Sequence, residues 1–154
     1  MIEFREGRID SGDGQRLERA MAAEMDQLYG GLDLNAPDMP KAGPQELNPP
    51  NGLFLVGYEE GAALCCGGIK DLGDGVCELK RMYVSPAARG RGVARTMLTV
   101  LEDHARGLGY MVARLETGPR QPDAMHLYRS AGYLEIPNFN GNPVATYFGE
   151  RSLV

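Results

Sequence analysis

Hydrophobic residues are spaced along this chain in two ways, one typical of strands and one typical of helices. Residues 1–4 form a short apolar stretch that predicts a first strand, and residues 15–30 carry leucine and methionine at helical spacing. From residue 53 onwards, two apolar runs are separated by a Glu-Glu-Gly turn, and a Gly-Asp-Gly turn at 73–75 leads into a third run. Turn residues between apolar runs are typical of hairpins, so we expect three antiparallel strands here.

A strand, a tight loop and a helix are predicted between Cys77 and Gly107. CELKRMYV alternates like a strand, SPAARGRG contains the proline and glycines of a loop, and VARTMLTVLEDHARG has apolar residues at helical spacing. Glu102 and Asp103 fall largely outside the apolar stripe of this helix. The stripe, which we expect to dock on a sheet, consists of Val93, Met97, Val100, Leu101 and Leu108.

The remaining third of the chain predicts one more helix and the last strands of the sheet. MVARLETG reads as a buried strand parallel to the strand before the loop, and a helix then begins at Pro122 and ends at Gly132. YLEI and VATYFGE are expected to be closing strands. The predicted fold class is α/β, in the form of an α+β mixed sheet. The sheet is mostly antiparallel with one parallel strand pair, and helices flank it. The length of 154 residues favours one domain, 1–154.

The segment 32–51 shows no hydrophobic period and holds five of the ten prolines. A loop of about twenty residues without regular structure is usually functional or mobile in a compact domain. Two interpretations stay open: the segment covers a substrate site, or it is a surface connection.

Composition and charge limit the class of protein. A net charge of −5 and a pI near 5.1 argue against a nucleic-acid partner and favour a cationic ligand. The chain has no apolar run of 18 residues, and MIEFREGRID lacks the apolar core of a secretory signal. We therefore expect a cytoplasmic protein that does not enter the membrane.

The three cysteines predict neither a disulfide framework nor a metal site. Cys65, Cys66 and Cys77 cannot all pair, and their spacing is not that of metal ligands. Adjacent Cys65 and Cys66 on a strand point to opposite faces, so at most one of them is expected in the core. We interpret all three as reduced structural thiols.

The loop at 85–92 has the features of a phosphate-binding loop. A helix that begins after glycines presents unpaired backbone N–H groups and the positive end of its dipole. Arg89, Gly92 and Ala94 give the pattern Arg-x-x-Gly-x-Ala, preceded by ELKRMYVSP and followed at 127–133 by LYRSAGY. In these motifs the chain resembles the GNAT superfamily, the acyl-CoA-dependent N-acyltransferases, most densely from Glu78 to Tyr133.

The resemblance implies the GNAT fold, with the parallel strand pair splayed apart, and acetyl-CoA as the acyl donor. The exposed strand edge formed by Met82, Tyr83 and Val84 would bind the pantetheine arm. In relatives, an asparagine near the position of Thr117 binds this arm. Here the hydroxyl of Thr117 is expected to take over that contact. The residues expected to bind the pyrophosphate are Arg89, Gly90, Arg91, Gly92, Val93, Ala94 and Arg95.

The resemblance also implies two catalytic residues. Glu78 lies eleven residues before Arg89, where some relatives carry a general base that acts directly or through water. The alternative is that Glu78 only pairs with Lys80. Tyr128 matches the tyrosine that protonates the departing thiolate in many relatives, although a tyrosine on a helix face is more often part of the core. We do not expect His104 or His126 to act as a base, and Asn138 and Asn140 are interpreted as turn formers.

The sequence predicts an N-acetyltransferase in which a primary amine of a small molecule or peptide attacks acetyl-CoA directly. Two alternatives stay open: an acyl-CoA-binding sensor of the same fold, and a dinucleotide-binding unit built on Gly90-x-Gly92 with Glu116 as the ribose-binding acid. Arg95 at the third glycine position and the antiparallel strands upstream argue against the dinucleotide interpretation. The acceptor, the acyl-chain preference and the assembly, a homodimer included, are not specified by any motif.

Overall fold

The computed structural model describes residues 1–154 and contains seven strands and three α-helices. A short 3₁₀ turn at Pro86–Ala88 precedes the second helix. The elements in chain order are β1 (Glu3–Glu6), α1 (Gly12–Leu28), β2 (Leu53–Glu59), β3 (Ala62–Gly73), β4 (Val76–Val84), α2 (Val93–Gly107), β5 (Val112–Thr117), α3 (Pro122–Ser130), β6 (Leu134–Glu135) and β7 (Tyr147–Ser152).

All seven strands form one sheet, in the order β1-β2-β3-β4-β5-β7-β6. Every neighbouring pair is antiparallel except β4 and β5, which are joined through α2 and run parallel. The predicted mixed sheet with one parallel pair is confirmed. A doubly wound dinucleotide-binding sheet is mostly parallel, so this topology excludes the dinucleotide interpretation.

The parallel pair is short because β4 bends away from β5. Only Val76–Glu78 of β4 pair with β5, although β4 continues to Val84. Just beyond that point β4 contains a bulge: Cys66 of β3 faces Tyr83 and Gly68 faces Lys80, so two residues of β4 stand opposite one of β3. A bulge adds twist and bends its strand. The two strands consequently diverge and leave a cleft between them.

Helices cover both faces of the sheet and create two cores. One core lies under α2 and contains Cys65, while the other lies under α1 and contains Cys66. Both cysteines are fully buried, so the prediction that at most one of them reaches the core is wrong. Their side chains do point to opposite faces, but each face is covered. All three cysteines are buried free thiols, as predicted.

The second helix has the predicted bounds, Val93–Gly107, but its buried face is wider than the predicted stripe. Glu102, which we expected outside the stripe, is only 3% exposed, and it accepts hydrogen bonds from Tyr133 Oη and Arg151 Nη1, each at 2.8 Å. Leu108, which we expected on the stripe, lies on the surface just beyond the helix end. No helix of the chain combines the length and apolar character needed to span a membrane.

Candidate active site

The cleft between the diverging strands has a volume of about 120 Å³. Its floor is formed by the outer part of β4 and the end of β5, and α1 and α3 contribute to its walls. Most of its lining side chains are apolar, and the charged ones are concentrated on the two strands. The lining residues are Met21, Met25, Tyr29, Leu32, Leu34, Met39, Glu78, Leu79, Lys80, Arg81, Met82, Glu116, Thr117, Gly118, Gln121, Tyr128, Asn142, Val144 and Ala145.

The segment between α1 and β2 forms one wall of this cleft. It contains no helix or strand, as predicted, and three of its apolar side chains, Leu32, Leu34 and Met39, line the cavity. Tyr29 at the end of α1 donates a hydrogen bond to Gln121 Oε1 at 3.0 Å and accepts one from the Arg120 N–H. Of the two interpretations of this segment, the structure favours the one in which it borders the site.

Two carboxylates, one ammonium and two amides form a hydrogen-bonded cluster at the floor of the cleft. Lys80 Nζ lies 2.9 Å from Glu78 Oε2 and 3.5 Å from Glu116 Oε1. Asn140 Nδ2 donates to Glu78 Oε2 at 3.1 Å and to Glu116 Oε2 at 2.7 Å. Asn142 Nδ2 donates to Glu116 Oε1 at 2.8 Å. The cluster holds both carboxylates in fixed positions on neighbouring strands.

Sequence reasoning missed most of this cluster. Asn138 is a turn former, since its Oδ1 accepts from the N–H groups of Asn140 and Gly141. Asn140 is also a turn former, because its Oδ1 accepts from the Asn142 N–H, but its Nδ2 has a further role that the sequence does not indicate: it donates to Glu78 and Glu116. Glu116 lines the cleft, whereas the sequence indicates only a ribose-binding role for it in the dinucleotide interpretation. The run of asparagines in a loop after α3 was the one signal that could have pointed to a polar site.

Glu78 is the most buried member of the cluster, with no exposed surface. Burial raises the pKa of the Glu78 carboxyl, and the neighbouring Lys80 ammonium offsets that rise only in part. Oε2 is held by Lys80 and Asn140, whereas Oε1 is buried without any hydrogen-bond partner. The pairing with Lys80 that the alternative interpretation expects is present. It involves only Oε2 and leaves Oε1 without a partner.

Tyr128 lies on the inner face of α3 and is 7% exposed. Its hydroxyl has one hydrogen-bond partner, Met82 Sδ at 3.8 Å, and a thioether is a weak acceptor. Burial raises the pKa of Tyr128 to about 12, so the phenol keeps its proton across the physiological range. Thr117 Oγ1, at the end of β5, is likewise buried without a partner. The cleft therefore presents two hydroxyl groups that no strong acceptor in the protein uses.

The loop before α2 presents a run of unpaired backbone N–H groups. The first helical hydrogen bond of α2 is donated by Thr96 to the Gly92 carbonyl, at 3.1 Å. The N–H groups of residues 90–95 donate to no acceptor in the protein. Gly90 and Gly92 have φ values of 79° and 76°, a conformation that L side chains rarely adopt, and a Cβ on either would meet no atom within 4 Å. These features fit a bound diphosphate group.

The three arginines of the loop are on the surface, and each contacts another residue. Arg89 Nη2 lies 2.7 Å from Glu24 and Arg91 Nη2 lies 2.6 Å from Glu59. Arg95 donates to Ser130 Oγ at 2.6 Å. Exposed ion pairs contribute only about 0–1 kcal/mol. A phosphate can therefore replace these partners at little energetic cost.

The predicted pantetheine edge is open on one side. Tyr83 and Val84 pair with β3, while β5 has already diverged and pairs with neither. The Val84 carbonyl accepts a hydrogen bond from Arg89 Nε at 2.9 Å, so the loop and the strand edge are in contact. His104 and His126 are exposed on their helices, and neither lines the cleft.

Comparison with known proteins points to one family. The model of the acetyltransferase (GNAT) family matches residues 18–133. An IAA acetyltransferase of Azospirillum brasilense is 40% identical over 112 residues, which cover 71% of this chain and 73% of the relative.

Two solved structures show how closely the fold is shared. An acetyltransferase of the GNAT family from Staphylococcus aureus has a TM-score of 0.78 at 15% identity, over 100% of both chains. An N-acetyltransferase of Thermoplasma acidophilum, crystallised in complex with coenzyme A, has a TM-score of 0.70 at 15% identity, over 99% of both chains. At such identities the likeness concerns the fold alone.

Proposed function

Because this chain belongs to the GNAT acetyltransferase family and is an acyltransferase, we propose that it transfers an acetyl group from acetyl-CoA to a primary amine. One observation carries the proposal: the unpaired N–H groups of residues 90–95 lie at the start of α2, beside the free strand edge. The edge leads to a cleft lined by Glu78 and Tyr128. Since β1 and β7 belong to the same sheet, we also propose that residues 1–154 act as one domain.

The donor is held by residues of the loop and the strand edge. The N–H groups and arginines of residues 89–95 bind the diphosphate, and the backbone of Met82–Val84 binds the pantetheine amides, with Thr117 Oγ1 as a further donor. Acetyl-CoA, when bound, supplies a thioester carbonyl to the cleft. The apolar walls contributed by α1 and the 32–51 segment exclude water from that carbonyl.

Glu78 removes the proton that the attacking amine must lose. Its unpaired Oε1 accepts the proton directly or through a water molecule, and the raised pKa brings the carboxylate closer to the pKa of the group it deprotonates. Glu116 is more accessible, with 14% of its side chain exposed. From the neighbouring strand it stabilises the positive charge that the attacking amine carries. Asn140 keeps the two carboxylates at a fixed separation.

Tyr128 donates a proton to the departing thiolate. The phenol is protonated at neutral pH because its pKa is about 12, and its present partner is only a thioether. Protonation of the sulfur prevents the thiolate from attacking the new amide. The products are an N-acetylated acceptor and free CoA.

The test measures free thiol release from acetyl-CoA against a panel of primary amines, with acetylated product identified by mass spectrometry. We expect saturable release that depends on the amine. Tyr128→Phe should lower kcat about 10²-fold and leave CoA affinity nearly unchanged. Tyr110→Phe is a matched control, because burial also raises the pKa of Tyr110 to about 12 but its hydroxyl donates to the Asn51 carbonyl, away from the cleft.

Two results would contradict the proposal at different levels. Absence of amine-dependent thiol release across the whole panel would overturn the proposed reaction. Equal kcat values for the wild type and Tyr128→Phe would remove Tyr128 from the mechanism while leaving the transferase assignment in place.

A further inference from the structure

Arg81 occupies an unusual backbone position at the edge of the cleft. Its φ is 55°, in the left-handed region, within the bulge of β4. The two other non-glycine residues with positive φ, Glu60 and Asp74, lie in hairpin turns, where this conformation is common. A left-handed residue with a side chain costs about 1–2 kcal/mol. Such a cost within a strand suggests that the side chain at this position has a function.

The guanidinium group of Arg81 forms no hydrogen bond and no ion pair within 4 Å in the protein. It lines the cleft, its Nε is buried without an acceptor, and it forms no ion pair. Lys80, the other cation of the cleft, is held between Glu78 and Glu116. Burial lowers the pKa of Arg81, and the negative charges of Glu18, Glu116 and Glu78 offset this effect only in part. Arg81 is half-buried, and its Nε has no acceptor in the protein, so a carboxylate in the cleft would supply the hydrogen bond that the protein does not.

The charges that line the cleft balance one another. Glu78 and Glu116 contribute two negative charges, and Lys80 and Arg81 contribute two positive charges. The excess negative charge of the whole chain is therefore not located in the cleft. A polycationic acceptor would upset this balance, whereas an acceptor with one ammonium and one carboxylate preserves it. The forked guanidinium group matches the geometry of a carboxylate.

The rest of the lining is apolar and the space is small. Met21, Met25 and Leu34 face the charged strands from α1 and the following segment. The volume of about 120 Å³ is below the roughly 300–1,000 Å³ of sites for drug-sized ligands. A compact acceptor with an apolar side chain fits this space. An internal lysine side chain or a protein N-terminus brings no free carboxylate close to its amine.

We propose that the acceptor is a free amino acid with an apolar side chain, whose carboxylate binds Arg81 while its amine faces Glu78 and Glu116. This inference rests on the proposed acetyl transfer and adds the acceptor class to it. Arg81 is then a specificity residue that distinguishes amino acids from simple amines.

The experiment compares leucine and methionine with leucinamide and methioninamide, each with acetyl-CoA and the wild-type protein. We expect kcat/KM to be at least 10-fold higher for the amino acids. This preference would oppose intrinsic reactivity, because the ammonium of an amino-acid amide is the more acidic and is deprotonated to a larger extent at neutral pH. Equal or higher kcat/KM for the amides would overturn the inference while leaving acetyl transfer intact.

Variants of Arg81 test the residue itself. Arg81→Gln should raise KM for leucine more than it lowers kcat and should bring the leucine-to-leucinamide preference close to one, and Arg81→Lys should restore part of it. Arg19→Gln is the control, since Arg19 is exposed on α1 and does not line the cleft. If Arg81→Gln folds poorly, Arg81→Gly gives the same comparison, because glycine adopts the left-handed backbone without strain. An unchanged preference in these variants would overturn the inference.

Binding of leucine separates this inference from the proposed function. Calorimetry with the CoA-saturated protein should detect leucine binding that Arg81→Gln weakens at least 10-fold. Leucine binding of this kind without any turnover would support recognition of the amino-acid carboxylate by Arg81 and contradict acetyl transfer. Absence of leucine binding to the wild type would overturn the acceptor class.

Discussion

Two opposing effects determine the pKa of Glu78. Its complete burial favours the neutral acid, while Lys80 at 2.9 Å favours the carboxylate. Burial has the larger effect, so the pKa of Glu78 is raised. A glutamate at an ordinary surface position would be too weak a base to act near neutral pH. The raised pKa of Glu78 makes it the stronger base.

A pH profile tests Glu78 as the base. Only the carboxylate can accept a proton, so kcat/KM should fall as the pH decreases through the raised pKa of Glu78, above the range in which surface glutamates titrate. Glu78→Gln should lower kcat about 10²-fold and abolish this acid limb. The rise of activity at alkaline pH that comes from the acceptor amine should remain.

The control is Glu6→Gln, which removes a carboxylate from an exposed position on β1. It should reproduce the wild-type profile. An acid limb that persists in Glu78→Gln would assign the titration to a group other than Glu78 and remove Glu78 as the base.

The start of α2 depends on a backbone conformation that suits glycine. Gly92 has φ 76° and directly precedes the helix. It lies within the run of unpaired N–H groups at residues 90–95. Gly92→Val should reduce CoA affinity at least 10-fold, because valine disfavours this conformation and its branched side chain would crowd the bound diphosphate. The dissociation constant for CoA, measured by calorimetry, checks this prediction.

Gly109 offers a matched control beyond the other end of the same helix. Its φ is 96°, and a Cβ there would also meet no atom within 4 Å. Gly109→Val should therefore destabilise the fold through similar backbone strain and leave CoA affinity unchanged. Comparable loss of affinity in both variants would attribute the effect to general destabilisation rather than to the loop.

Local elements could be predicted from the sequence because their signals are local. Glycine, proline and a helical apolar period were enough to give α2 its bounds. The errors concern long-range contacts: Glu102 is buried because Tyr133 and Arg151 approach it from distant segments. Asn140 reaches Glu78 although 62 residues separate them. Arg81 gave no signal at all, since neither its backbone conformation nor its lack of a partner is visible in a sequence.

The sheet separates two cores, and the cleft opens where β4 and β5 part between them. The core under α2 holds the sheet and the phosphate loop together, while α1 and the 32–51 segment cover the opposite face and border the acceptor side of the cleft. A donor that binds the loop and the strand edge would contact β4 and the end of β5, which lie at the centre of the sheet, and the start of α2, and all three pack on the core under α2. Ligand binding should consequently affect global stability.

Thermal unfolding should therefore respond to CoA. A ligand that binds only the folded state at 100 times its dissociation constant adds about 2.7 kcal/mol, which corresponds to a Tm increase of roughly 5–10 °C for a chain of this size. Pantetheine, which lacks the diphosphate, should give a much smaller shift at the same concentration, because it leaves the N–H groups of residues 90–95 unused. A Tm that does not change with CoA up to millimolar concentration, or one that rises equally with pantetheine, would contradict diphosphate binding at this loop.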